Sequence, residues 1–288
     1  MAIGPSTTTS LNDLLPLIVQ EAMFVASERS IMRGLVKNYT LSPGQGKVVQ
    51  VPIYPTQSAA AITEGNEVDN TEVTTSLGTL TVSPVAIRTL LTDFARVASA
   101  SNVVADLGRL FGEAVARKMD QDLTAKFSQL NAGFGDFSGQ ITAASIFQAV
   151  AKLKAAAVPA EGMVCVLHPE IAYDLKAALT TQGNTPFTSG AYSDVSNEAM
   201  RMGFVGMIAG IPVYETSNIA NNGTAGDIPG AVFHRDAFGL GMIGDISIET
   251  QRRASFLGDD IVCSAYYGTG ILQNNYGRYL AFDSSINP

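Results

Sequence analysis

At 288 residues the chain is long enough for one large domain or two interleaved ones, with a core burying roughly three-quarters of the unfolded surface. Charged residues make up only 15% of it, below the usual ~25%, and the formal net charge is −8; this excludes a sequence-independent nucleic-acid binder, which needs clustered Lys and Arg. Two cysteines, Cys165 and Cys263, are too few for a disulfide framework and read as small buried hydrophobes of a reducing compartment.

Residues 1–10 are small and hydroxylated and read as a loose arm. No basic segment precedes an apolar core as in a signal peptide, and no run of ~18 apolar residues is long enough to span a bilayer. Ser10 and Asp13 form a weak capping box ahead of Leu14, Leu15, Ile18, Ala22 and Val25, which predict an amphipathic helix up to about Arg33. Such a helix on a loose arm needs a partner surface.

From Lys47 the apolar period changes to two. "KVVQVPIYP" and "TLTVSPVAIRTLL" predict strands, and the polar, acidic "TEGNEVDNTE" lies between them. Pro52, Pro55 and Pro84 fit a long hairpin at a sheet's margin better than a sheet interior. A hairpin this thin cannot bury both faces within its own chain, and it is expected to lie on another subunit. Its tip, with Glu64, Gly65, Glu67, Asp69 and Glu72, lacks the register of a calcium loop. Two readings stay open there: a solvated loop, or an intersubunit contact with basic side chains, for which Arg252 and Arg253 are candidates.

Over 101–130, Val104, Leu107, Phe111, Val115, Met119, Leu123 and Phe127 recur at helical spacing with no proline between them. A continuous helix there would span roughly 45 Å. After the glycine-rich break "NAGFGDFSGQ" come a helix over 143–157, the strand "MVCVL", and a helix in "HPEIAYDLKAALT" with Pro169 in its first turn and His168 as its cap. Residues 180–197 read as loop, "IPVYET" as strand and "NIANNGTAGDIPG" as exposed loop. "DISIETQRR" and "DDIVCSAYYGTGILQNNYGRYLAF" read as long antiparallel strands.

"FHRDAFGLGMIGDISIE", residues 233–249, packs a His-Arg-Asp triplet and a G-x-G-x-x-G run into one stretch. A kinase catalytic loop needs Asn five residues after its Asp, and Gly241 stands there; its glycine loop also belongs early in the chain. A dinucleotide site needs a helix after the glycines, and "DISIETQRR" is strand-like. The glycines are therefore expected as flexible or close-packing positions in a turn between strands, and no catalytic or cofactor-binding residues are assigned. Cys165 and His168 have C-x-x-H spacing, but only Cys263 and His234 remain to complete a zinc site, so no metal site is assigned either.

In this order the chain resembles the major capsid proteins of tailed double-stranded DNA bacteriophages. "QEAMFVASERSIMRGLVKNYTLSPGQGKVVQVPIYPTQSAAAITEG" resembles their N-arm and extended loop, and "SNVVADLGRLFGEAVARKMDQDL" their spine helix. "MVCVLHPEIAYDLKAAL", "GIPVYETSNI" and "AVFHRDAFGLGM" resemble parts of the axial domain, and "ISIETQRR…DDIVCSAYYGTGILQNNYGRYLAF" the return to the peripheral domain.

The resemblance implies an α+β, HK97-like capsid fold. Its parts are an N-arm (1–46), an extended β-hairpin loop (47–92), a peripheral domain with the spine helix (93–135), an α/β axial domain (136–244) and closing antiparallel strands (245–288). It implies a non-enzymatic protomer of pentamers and hexamers that encloses double-stranded DNA without sequence-specific binding. Such a shell works with a portal protein and sometimes a cement protein, is assembled in the host bacterial cytoplasm, and has no membrane or cofactor. Because Met1 leads almost directly into the arm, a separate scaffolding protein is expected. Encapsulin-type nanocompartment shells resemble the same fold, and a protein cargo in place of DNA would distinguish them.

Overall fold

A computed structural model describes residues 31–286 except 43, 45, 55–58, 60, 62–64, 66, 68–71, 99–102, 182–203, 224–225 and 245–246. The expected arm helix lies outside the described residues except for its end, and so does nearly all of the 180–197 loop. In chain order the first part comprises α1 (Met32–Leu35), β1 (Lys37–Leu41), β2 (Val48–Ile53), β3 (Ser76–Thr81), β4 (Ser83–Thr92), α2 (Asp93–Ala98), α3 (Val103–Thr124) and β5 (Asn131–Phe134). Then follow α4 (Ala143–Ala155), β6 (Met163–Leu167), α5 (Pro169–Thr181), β7 (Phe204–Ile208), β8 (Ile211–Glu215), β9 (Asp227–His234), β10 (Phe238–Ile243), β11 (Ser247–Arg253), β12 (Gly258–Ile271) and β13 (Gly277–Asp283).

Two sheets organise the chain. In the long sheet, β12 carries β4 antiparallel on one edge, and β10 and then β11 antiparallel on the other; β1 adds in parallel to β10. The second sheet has the order β5-β13-β9-β6-β8-β7, and α4 packs against it and against α5. Strand pairing crosses the segment limits expected from the sequence: β10, before residue 245, pairs in the long sheet, and β13, after it, pairs with β9 and β5.

The two sheets are joined at the stretch that looked most like chemistry. β9 ends at His234, Arg235–Ala237 form one 3-10 turn, and β10 begins at Phe238 in the other sheet. Phe233 and Phe238 flank this corner with ring centroids 4.9 Å apart, and Phe127, from the turn after α3, meets both at 5.9 and 5.8 Å. All three rings are fully buried, so they fix the spine helix to the junction of the sheets.

α3 is shorter than the periodicity predicts. Its 22 residues rise about 33 Å, and the chain then turns into a 3-10 segment at Phe127–Gln129. Thr124 explains the stop: its hydroxyl donates to the Gln121 carbonyl at 3.1 Å and lies 3.0 Å from the Asn218 carbonyl oxygen of another segment. Phe127 and Leu130 keep the apolar spacing because they are buried beneath the corner, without being helical.

Among the strands not legible in the sequence are β1, β5 and β7, and β10 takes up glycines expected in a turn. The glycine-rich break contains β5, which runs parallel to β13; a Cβ on Gly133 would lie 1.8 Å from the Tyr279 carbonyl oxygen, so backbone proximity selects glycine there. β7 pairs with β8 across Ala209-Gly210, both at positive φ (57° and 79°), the backbone of a tight hairpin turn. The expected exposed loop after β8 is buried at its start, at Asn218 and Ile219, and its last residues belong to β9. Elsewhere α4, β6, α5, β8, β11 and β12 stand where the sequence predicts them, and His168 Nδ1 accepts the Glu170 N–H at 3.4 Å in the first turn of α5.

Candidate assembly interface

β2 and β3 form a two-stranded sheet of their own. Along β3, Gly78 and Leu80 are buried while Leu77, Thr79 and Thr81 are exposed; along β2, the Val49, Val51 and Ile53 side is half-buried and Val48, Gln50 and Pro52 face solvent. One face of the hairpin root is thus covered by its own chain, and the other is exposed. The chain breaks pairing at the buried Val82, whose N–H donates to the Lys47 carbonyl at 2.8 Å, before β4 joins the long sheet.

What covers the root is a block of four glycines. Gly239 pairs with Gly270 and Gly241 with Gly268, so all four share one face of adjacent strands. A Cβ on Gly239 would lie 2.9 Å from Leu80 Cδ1, one on Gly270 2.7 Å from Leu80 Cδ2, and one on Gly241 3.1 Å from Val49 Cγ2. On Gly268 it would come within 2.2 Å of the Thr81 carbonyl oxygen, a contact that excludes any side chain. The G-x-G of the nucleotide-like motif is therefore a seat on which Leu80 rests, and only Gly244, at φ +69°, is a turn glycine. The sequence signal was present: "GLG" at 239–241 and "GTG" at 268–270 are the two halves of the block, legible only once β10 and β12 are known to pair.

The His-Arg-Asp triplet holds the corner. His234 Nδ1 accepts the Asp236 N–H at 3.2 Å, which leaves Nε2–H to donate to the Glu161 carbonyl at 2.8 Å. Tyr276 packs edge-on to the imidazole, centroids 5.8 Å apart. Asp236 reaches Lys37 Nζ at 3.1 Å, and this hydrogen bond holds the Lys37 ammonium above its ordinary range. The triplet thus ties β1 and the corner together.

Of the proposed contact residues, Glu64 and Asp69 lie outside the described residues, while Gly65 (φ +92°), Glu67 and Glu72 are exposed. Arg252 and Arg253 are successive residues of β11 and project to opposite faces of the long sheet. On the face that also bears the glycine seat, Arg253 Nε and Arg88 Nη2 both reach the buried carboxylate of Asp260, at 3.2 and 2.9 Å. Glu249, opposite Val262 beside Arg88, is exposed on the same face, so two bases and two acids balance there. On the opposite face, Arg252 pairs with Asp93 at 2.5 Å and approaches Asp259 at 3.5 Å, while Arg96 pairs with Asp259 at 2.9 Å. Arg252 holds the Asp93 carboxyl below its ordinary value.

The root of the N-terminal arm is fixed from below. Asp120, fully buried on α3, accepts the Ile31 N–H at 3.0 Å, and Met32 is buried in the core. Among the described residues no group of three or more metal-ligating side chains converges, and no helix is long and apolar enough to cross a membrane.

Residues 56–281 match the family model described as phage capsid protein. No curated protein matches the chain. Among solved structures, the capsid of cyanophage P-SCSP1u superposes with a TM-score of 0.68 at 19% identity, over 90% of this chain and 89% of that one. A chain of Mycobacterium phage Che8 gives 0.65 at 19% identity, over 89% and 92%. The capsid of a native GTA particle gives 0.64 at 12% identity, over 88% and 90%. A long spine helix, an extended hairpin and two joined sheets, matched over nine-tenths of the chain by capsid proteins, leave one conclusion: this chain belongs to the phage capsid protein family, has the HK97-type α+β fold, and is a structural protein of the virion.

Proposed function

We propose that this chain is the protomer of pentamers and hexamers that close into an icosahedral head around double-stranded DNA. The extended hairpin and the N-terminal arm of each copy grip its neighbours. The observation that carries this reading is the half-covered hairpin: its root is seated on the glycine block, while among the described residues Val48, Gln50, Pro52, Leu77 and Thr79 on its other face and Gly65, Glu67 and Glu72 at its tip are exposed. A surface of that kind is completed by another copy.

Charge supports the direction of the grip. Glu67 and Glu72, with Glu64, Gly65 and Asp69, form the acidic tip, and Arg88 and Arg253, half-exposed on the face of the glycine seat, are candidate basic partners for it. Arg252 belongs to the other face and meets a neighbour there. The partners implied by the family reading are a separate scaffolding protein, a portal protein and, in some heads, a cement protein, with assembly in the host bacterial cytoplasm. DNA is enclosed without base recognition, in keeping with a net charge of −8.

Deleting Thr63–Thr71 tests the grip. The protomer keeps its cooperative unfolding, because the described residues of that segment, Gly65 and Glu67, are exposed; closed shells fail to form. Normal particles from the deletion would remove the hairpin from the assembly interface.

A further inference from the structure

Three parts of the chain that lie far apart in sequence meet at one buried carboxylate. Asp120 on α3 is fully buried, and its Oδ2 accepts two hydrogen bonds: from the Ile31 N–H at the root of the N-terminal arm, at 3.0 Å, and from the Asn218 side-chain amide in the loop after β8, at 3.4 Å. The arm root and the loop are held by the same oxygen atom.

Asn218 is spent almost wholly on α3. Its Oδ1 accepts from Arg117 Nε at 3.1 Å, its Nδ2 donates to Asp120, and its carbonyl oxygen lies 3.0 Å from the Thr124 hydroxyl. Arg117, Asp120 and Thr124 are three and four residues apart, a polar stripe along one face of the helix that receives a single residue of another segment. The Asn218 N–H meets Thr216 Oγ1 at 3.2 Å, and the Thr216 N–H donates to the Leu167 carbonyl of β6 at 3.0 Å. The start of the loop is thereby tied to the second sheet.

Asp120, Thr124 and Asn218 are all buried. Apolar side chains of similar volume commonly hold such a junction as firmly, because a buried charge adds little net stability over good packing. What the carboxylate adds is a fixed geometry with a shared acceptor. A donor withdrawn from one side weakens the hold on a charge that water does not reach, and so on the donor at the other side.

We propose that Asp120 is a latch coupling the root of the N-terminal arm to the loop after β8. Drawing the arm root away loosens Asn218 from α3, and loosening Asn218 frees the arm root, the two effects being reciprocal. Asp120 and Asn218 are positioning residues. The latch goes beyond the shell reading and is complete within one protomer; where a neighbour takes hold of the arm, it is the route by which that contact reaches the second sheet.

Hydrogen exchange of the full, unassembled chain, read at the Ile31 amide by mass spectrometry, tests the coupling. Asp120→Asn sets an amide NH2 against one of the two donors, and Asn218→Ala removes a donor that does not touch Ile31. Each is expected to speed Ile31 exchange about tenfold or more, while the β6 amides of Val164–Val166 change no more than the shift in global stability requires. Combining Asp120→Asn with Asn218→Asp separates a latch from plain stabilisation. The carboxylate now at 218 accepts from both Arg117 and the amide at 120, so the unfolding temperature recovers toward wild type; the Ile31 N–H still faces an NH2 group, so its exchange stays fast. Wild-type exchange at Ile31 in Asp120→Asn, or its return to wild type in the combined variant, would overturn the latch. Should Asp120→Asn not fold, Asn218→Ala decides alone, and unchanged Ile31 exchange in it overturns the coupling. Because every readout is taken on the protomer, a failure of the shell reading leaves the latch standing.

Discussion

The His234 imidazole holds the corner between the sheets from both of its nitrogens, and this role sets what its loss will do. His234→Ala removes an acceptor from the Asp236 N–H and a donor from the Glu161 carbonyl in a nearly buried site. The expected cost is about 1–3 kcal/mol of protomer stability, read by urea unfolding, with no loss of any turnover. Tyr267 makes a pH prediction. Its hydroxyl donates to Asp122 at 2.8 Å, and burial, followed by that bond, pushes its pKa above the ordinary 10.0. A raised pKa in the fold means that the stabilisation is fully present below about pH 10 and is lost as pH rises toward the folded value. Tyr267→Phe should therefore cost about 1 kcal/mol at neutral pH, and its unfolding free energy should fall less steeply than wild type between about pH 9 and 11. An equal slope in the two proteins would place the alkaline transition on other groups.

At the scale of elements, the glycine seat gives the sharpest contrast. Gly268→Ala forces a Cβ onto the Thr81 carbonyl oxygen, which is backbone and cannot swing away, whereas Gly241→Ala meets only the Val49 methyl at 3.1 Å. Thermal unfolding should show a loss of about 2–3 kcal/mol for the first and under about 1 kcal/mol for the second. Comparable losses would mean that the Thr81 backbone does not approach Gly268 as closely as this. The same elements show what a sequence can reveal. Periodicity exposed the hairpin strands, the spine helix, β6, α5 and β12, because each buries a face over five or more residues. It overran α3, because Phe127 is buried by tertiary contact after Thr124 has ended the helix. It missed β5, since Gly133 is chosen by the nearness of β13 and looks like a loop residue alone. The His-Arg-Asp and G-x-G-x-x-G stretch resisted reading for the same reason: a corner and a seat are defined by partners far along the chain.

On the scale of the whole molecule, function lies in surfaces that the single chain leaves incomplete. A polar core site would have announced itself by its residue types; an assembly surface shows only as low charge and a hairpin with one exposed face. Architecture was therefore legible from the order of elements, while the face on which each charged residue stands was not. Arg252 and Arg253, adjacent in sequence, turn out to serve opposite faces. The central claim is that this chain builds shells from copies of itself. Electron microscopy of the purified chain, expressed alone and with the neighbouring reading frames of its source genome, tests it most directly. Capsomer rings or icosahedral particles are the predicted result, and a dispersed monomer in both preparations would contradict it.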